Sequence, residues 1–207
     1  MVDDLARQRV VVLAGPSGSG KSRLADRLHR SHGWPIFRLD DFYRDQDDPS
    51  MPRSAGLGII DWDHPDSWDG DRALIALCEL IDTGSTTMPV YDIGASRAVG
   101  RHSVTAAPGD LVIAEGIFAA EMVSRLQGSG VLHSARCIHH RPEVTFVRRL
   151  ARDLKERRKP PTVLVRRGWA LMRAEPDIVR RQNDLGARPA RAADVEAHLA
   201  NGVRTVG

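Results

Sequence analysis

Only two cysteines occur in the chain, Cys78 and Cys137, both in apolar surroundings and neither in a CxxC pair. That spacing gives no support to a metal cluster or a redox pair and fits two core residues. Long apolar runs are also missing. Val10 to Ala14 and Leu111 to Ala114 are strand-sized, far below the roughly 20 residues that a bilayer crossing needs, so no membrane partner is expected. The opening MVDDLARQR lacks the basic start and apolar stretch of a secretory signal, which makes a cytoplasmic location the expectation. Aromatic residues are scarce at 5%, Lys21, Lys155 and Lys159 are the only lysines, and there is no internal repeat.

What is present describes an ordinary globular protein. The 207 residues, 42% hydrophobic and 28% charged, suit one medium α/β domain spanning 1–207. The formal net charge is only +3, so distribution matters more than total. Bases crowd between Arg148 and Arg173 and acids between Asp40 and Asp71, the pattern of a cationic arm facing an acidic pocket. A nucleic-acid partner has weak support on this pattern, and a homo-oligomer is left open.

Along the chain, the β-branched run Arg9 to Ala14 predicts a strand, and Leu24, Ala25 and Leu28 predict a helix over Lys21 to His32, stopped at Gly33. Pro35 to Leu39 reads as a second strand ending on Asp40 and Asp41. Residues 44–70, rich in Asp, Pro and Gly without a period, read as an acceptor-binding insertion. A helix is predicted over Asp71 to Asp82, further strands at Leu111 to Ala114 and Ala135 to His139, and a fifth near Asp177 to Val179. Glu143 to Arg158 and Val163 to Met172 predict a pair of helices split by Pro160-Pro161, giving a basic lid over about 148–173. Ala190 to Asn201 closes the chain as a helix. Alternating strands and helices imply an α/β fold: a doubly wound parallel sheet of about five strands, flanked by helices, whose ligands bind outside the carboxyl ends of the strands.

The strongest local signal is Gly15-Pro16-Ser17-Gly18-Ser19-Gly20-Lys21-Ser22, which matches G-x-x-x-x-G-K-[ST] at every fixed position between a predicted strand and a predicted helix. Glycines let a backbone wrap tightly enough to aim several N–H groups at phosphate oxygens, and the following helix offers its positive end to the same charge. Lys21 is placed to reach the β- and γ-phosphates of ATP, and the Ser22 hydroxyl to ligate Mg²⁺ between them. The plain structural alternative is a glycine turn beside a surface lysine. None of the three lysines stands in an Asn-Lys-x-Asp guanine selector, which sets a GTPase aside.

Phosphoryl transfer to an alcohol needs a carboxylate able to take the hydroxyl proton opposite the γ-phosphate. Asp40, at the end of the second strand, is the candidate; its structural alternative is a helix cap. His139 and His140 are adjacent on a strand and so face opposite ways, which gives them no shared metal.

Several separate segments, in the same order, resemble the uridine kinase branch of the P-loop kinase superfamily, which includes the phosphoribulokinases and bacterial pantothenate kinases. They are Leu39-Asp-Asp-Phe-Tyr-Arg44, Asp61-Trp-Asp-His-Pro-Asp-Ser-Trp-Asp69, Pro89-Val-Tyr-Asp92, Ala114-Glu-Gly-Ile117 and Arg148-Arg-Leu-Ala-Arg-Asp-Leu-Lys-Glu-Arg157. The resemblance implies Asp40 as general base and metal neighbour, Glu115 beside the metal, Asp63 on the ribose hydroxyls and Tyr91 lining the sugar or base pocket. It also implies that Arg149, Arg152 and Arg157 close over the phosphates, and aligns Gly186-Ala187 with the adenine loop. The chemistry suits these roles: a carboxylate can accept two hydrogen bonds from a vicinal diol, and a guanidinium neutralises equatorial oxygens as charge redistributes. Asp63 as a turn residue, Tyr91 as a core residue and the arginines as a solvated helix face are the structural alternatives. Arg148, Lys155, Arg158, Arg166 and Arg167 are read as surface.

The chain departs from the uridine kinases at Ile93, where they carry an aromatic, and at Gly94 to Arg97, which is one residue shorter and has no histidine. The expected activity is Mg²⁺-ATP-dependent phosphorylation of a small-molecule hydroxyl, with a nucleoside as the family's default acceptor. Two alternatives remain: another small alcohol, such as a different nucleoside, a sugar phosphate or a pantothenate-like molecule, and an ATP-dependent switch or nucleic-acid-associated ATPase.

Overall fold

The computed structural model describes residues 7–53, 58–155 and 161–203. Val10–Ala14 forms β1, buried along its whole length because it is the middle strand of a five-stranded parallel sheet. On one side it pairs with β5 (Val112–Glu115) and on the other with β6 (Leu132–Ile138); β2 (Ile36–Arg38) and β7 (Arg188–Ala190) form the edges. A strand covered on both faces reads as a continuous apolar run, and VVVLA does. Val11 and Leu13 point to one layer, with Leu24 and Leu28 of α1 (Lys21–His32) and Val195 and Leu199 of α6 (Ala192–Val203). Val10, Val12 and Ala14 point to the other, with Leu77 and Leu80 of α2 (Gly70–Thr83) and Leu126 of α3 (Val123–Gly128). Leu24 and Leu28 are fully buried, so truncating either to alanine costs about 2–5 kcal/mol.

The chain then builds two appendages on this frame. β3 (Ser85–Asp92) and β4 (Arg97–Thr105) form a separate antiparallel hairpin, which the sequence reading left unassigned. α4 (Pro142–Lys155) and α5 (Pro161–Asp184) form the helical lid. Here two expectations are corrected. Residues 177–179 are helical, because α5 runs through Pro176 for 24 residues instead of stopping at Met172. The fifth strand lies later, at Arg188–Ala190, where Arg136, Cys137 and Ile138 of β6 supply its partners.

Candidate active site

Every feature of the phosphate loop follows from the turn that joins β1 to α1. Gly15, Gly18 and Gly20 adopt φ of 139°, 86° and 100°, values that side-chain-bearing residues rarely take. Gly15 has a second constraint: a Cβ there would lie 2.2 Å from the Ile138 carbonyl oxygen, so only glycine lets the loop pass the end of β6. Gly20 caps α1 without any side-chain hydrogen bond, and the first turn of the helix carries no acid. The free N–H groups and positive end of α1 are thus kept for an anion. Lys21 is buried, and its Nζ donates to the carbonyls of Gly15 at 2.8 Å and Pro16 at 3.3 Å. The ammonium is folded back along the loop where phosphate oxygens would lie.

Two carboxylates face this lysine. Glu115, at the end of β5 and 7% exposed, accepts the Ser22 hydroxyl at 3.2 Å. Asp40 sits in the 3-10 turn Leu39–Phe42 after β2, and its Oδ1 accepts the Ile117 N–H at 2.9 Å. Burial pushes Asp40 above the usual carboxylate range, against the Ile117 N–H and the charges of Lys21 and Arg38. Burial likewise raises Glu115, with Lys21 pulling down and Asp40 pushing up. The buried Glu115, the more open Asp40 and the Ser22 hydroxyl are hard-oxygen donors, and they fit a divalent cation such as Mg²⁺. Among the described residues, no group of three or more His, Cys, Asp or Glu could hold a metal ion.

The neighbouring Asp41 serves the other side. Burial raises it too, while the Tyr91 N–H and the charges of Arg38 and His102 lower it, which ties it to the hairpin. The Asp-Asp dipeptide therefore divides between phosphate loop and hairpin.

The wall on the hairpin side is aromatic. The Tyr43 ring lies 5.9 Å from that of Trp62, 5.7 Å from Tyr91 and 5.9 Å from Phe118. Burial, followed by Asp40, Asp63 and Tyr91, raises the Tyr43 phenol, and its hydroxyl donates to the Trp62 carbonyl at 3.4 Å. Tyr91 donates to the Arg44 carbonyl at 3.1 Å and is pushed up to about 12, by burial and then by Asp45. Asp63 is exposed, beside Tyr43. The segment is pinned from behind, where the Trp68 Nε1 donates to the Leu39 carbonyl at 2.7 Å and Tyr43 pairs with Trp68 across an antiparallel bridge. Next to it opens a cavity of about 390 Å³, lined by Asp41, Tyr43, Arg44, Asp45, Arg72 and Pro89 among others. The hairpin tip is fastened to the same segment, with the Gln46 N–H donating to Ser96, the Ala98 N–H to Asp45, and Arg97 paired with Asp47 at 3.6 Å.

The structure thus brings Gly15 to Ser22, Asp40, Glu115, Asp63 and Tyr91 to one edge of the sheet. Tyr43, Gly116 and Ile117 join them, and the sequence reading gave none of these a role. Their signal was present, since each belongs to a segment with a family counterpart. A Cβ on Gly116 would lie 2.8 Å from Asp40 Oδ1, which is why this position is bare. Gly186 and Ala187 are not brought in. They precede β7, whose first residue Arg188 pairs with Arg136, two residues short of the end of β6, and Ala187 is fully buried in the core. Arg149 and Arg152 lie on α4 with side chains outside the described residues, and Arg157 itself lies outside them. Arg148 is exposed, in keeping with its reading as surface, and among the described lid residues its Nη1 approaches the loop, 3.9 Å from where a Gly20 Cβ would stand.

Residues 10–177 match the Phosphoribulokinase / Uridine kinase family. The chain belongs to that family. It is 32% identical to a uridine kinase of Lactobacillus johnsonii over 157 residues, 73% of this chain and 70% of that protein. It is also 32% identical to a uridine kinase of Deinococcus deserti, over 77% of this chain and 75% of that protein. Among solved structures, a candidate fructose transport system kinase of Silicibacter sp. TM1040 superposes with a TM-score of 0.59 at 19% identity, covering 82% of this chain and 85% of that one. This last likeness shows the fold. Family membership makes the chain an ATP-binding P-loop kinase with general phosphotransferase activity, and no helix among the described residues is long and apolar enough to cross a membrane.

Proposed function

We propose that the chain transfers the γ-phosphoryl group of ATP to a hydroxyl of a small metabolite, with a nucleoside as the leading acceptor. The observation that carries this reading is the placement of Asp40. One of its oxygens is held by Ile117, Lys21 acts on it from the phosphate loop, and it also acts on the Tyr43 phenol of the aromatic wall.

In this reading the acceptor lies against Tyr43 and Tyr91, with Asp63 accepting hydrogen bonds from its hydroxyls. The acceptor oxygen attacks the γ-phosphorus as the bond to the β-phosphate oxygen breaks, and that electron pair leaves with ADP. The hydroxyl proton passes to Asp40 Oδ2, the oxygen not engaged by Ile117. Lys21 leaves the Gly15 and Pro16 carbonyls to follow the β- and γ-phosphates, and Arg148, with Arg149, Arg152 and Arg157, adds positive charge from the lid. Mg²⁺, held by Ser22, Asp40 and Glu115, would neutralise charge between the two phosphates.

A second reading keeps the chemistry and changes the alcohol. Ile93, standing where the uridine kinases have an aromatic, is 66% exposed and builds no wall for a base. ADP release from ATP across a panel of nucleosides and other small alcohols decides between them. Acceptor-dependent release with a phosphorylated small product supports the kinase, and the best acceptor names the class. Polymer-stimulated hydrolysis without such a product would overturn both.

A further inference from the structure

The lid stands on two helices, of which the second is anchored. Along α5, Glu175, Val179 and Gln182 recur at helical spacing on one face. Glu175 is 2% exposed and Gln182 is 7% exposed. Val179 packs on the core, and Gln182 accepts the Cys137 thiol of β6 at 3.2 Å. Glu175 is followed by Pro176, the proline inside α5, whose missing N–H interrupts the helix ladder at this point. Its Oε1 accepts the hydroxyl of Thr145, on α4, at 3.1 Å, and Thr145 is fully buried. A carboxylate taken out of water is costly unless it is hydrogen-bonded, so a buried bond of this kind holds its partner in one orientation.

Thr145 has a particular place on α4. Arg148 follows it by three residues and therefore shares its face, and positions 149 and 152 fall on the same stripe at i+4 and i+7. A one-residue rotation of α4 about its axis would turn position 148 by about 100°. In the present setting Arg148 Nη1 lies 3.9 Å from where a Gly20 Cβ would stand.

We infer that Glu175 is a positioning residue, which sets the rotation of α4 through the Thr145 hydroxyl and so holds Arg148 over the loop that takes the phosphates of ATP. The inference rests on the lid being the cover of the phosphate site, and its test reads ATP binding directly, without an acceptor. A silent kinase assay would therefore bear on the proposed function alone.

The test compares ATP affinity, by calorimetric titration of the full chain, across paired variants. Thr145→Val and Glu175→Leu remove the bond with little change of volume; Thr145→Ser and Glu175→Gln keep a donor and an acceptor. We expect the first pair to weaken ATP binding about tenfold, in line with displaced rather than deleted charges, and the second pair to stay within about twofold. Arg148→Gln supplies the discriminating step. If the bond acts through Arg148, Thr145→Val adds little to Arg148→Gln, whereas two independent effects would multiply. A role confined to stability lowers the melting temperature and leaves the affinity of the folded protein unchanged. Should one apolar variant fail to fold, the other carries the comparison, with Thr145→Cys, a weak donor of similar size, as a third. Wild-type affinity in the folded Thr145→Val or Glu175→Leu protein, or multiplicative loss in the double variant, overturns the inference.

Discussion

Asp40 Oδ1 accepts the backbone N–H of Ile117 at 2.9 Å, and this contact ties the end of β2 to the turn after β5. It leaves one carboxylate oxygen for chemistry and fixes where that oxygen points. Replacing Asp40 with asparagine keeps the Ile117 contact but removes the basic oxygen. The rate of phosphoryl transfer should fall by at least about 10²-fold while ATP binding stays nearly intact, as single-turnover and binding measurements on the same preparation would show. Unchanged turnover refutes the assignment of the base.

The same residue makes a prediction about pH. Burial raises both Asp40 and Glu115, so between the unfolded and folded pKa values the native state holds more protons than the unfolded one. Stability of the nucleotide-free protein therefore falls as pH rises through that window. Activity runs the other way, because the base must be ionised: its acidic limb should lie above the ordinary carboxylate value of 3.8. Thermal melts at pH 5 and 7 should show Asp40→Asn flattening the pH dependence and raising the melting temperature at pH 7.

Gly116→Ala should act on the same contact without touching charge. The added methyl would stand 2.8 Å from Asp40 Oδ1 and 2.9 Å from the Leu39 Cβ, so the turn carrying Asp40 must shift. A displacement near 1 Å costs about 10²-fold in rate. The expected signature is a lower kcat with the KM for ATP little changed.

Trp68→Phe tests the support from behind. It deletes the side-chain donor to the buried Leu39 carbonyl, which keeps its bond within the 3-10 turn. Denaturant unfolding should show a loss of about 0.5–1.5 kcal/mol, and turnover should fall because the Asp40 turn loosens.

Asp63→Ala bears on acceptor recognition. Where a site hydrogen-bonds a substrate hydroxyl, loss of the carboxylate should raise the KM for the acceptor at least about tenfold with the KM for ATP unaltered. Discrimination against an acceptor lacking that hydroxyl should shrink in parallel.

The phosphate loop was legible because its chemistry is local. Gly15 to Ser22 are consecutive, and their constraints on φ are written in the residue types themselves. Asp40 and Glu115 were legible because both end apolar strand runs and recur in segments shared with a family. The approach of Arg148 to the loop was not, since choosing among neighbouring arginines on a helix requires knowing how that helix is rotated, and the Glu175–Thr145 contact joins residues 30 apart. The hairpin escaped for a different reason: β4 is exposed along nearly its whole length and β3 contains Pro89, so neither shows the alternation of a half-buried strand. β7 escaped because three residues, Arg188, Pro189 and Ala190, carry no apolar run at all. The helix expected over Val163 to Met172 continues through Pro176 and over Asp177 to Val179, where a strand was expected.

The hairpin of β3 and β4 is its own sheet, sharing no ladder with the five parallel strands, yet its tip is fastened at Ser96, Arg97 and Ala98 to the segment Asp45 to Asp47. Substitutions at that tip are therefore expected to reshape the cavity beside Tyr43 and Arg44 while Lys21, Asp40 and Glu115 keep their places, so that selectivity and transfer chemistry are separable by mutation.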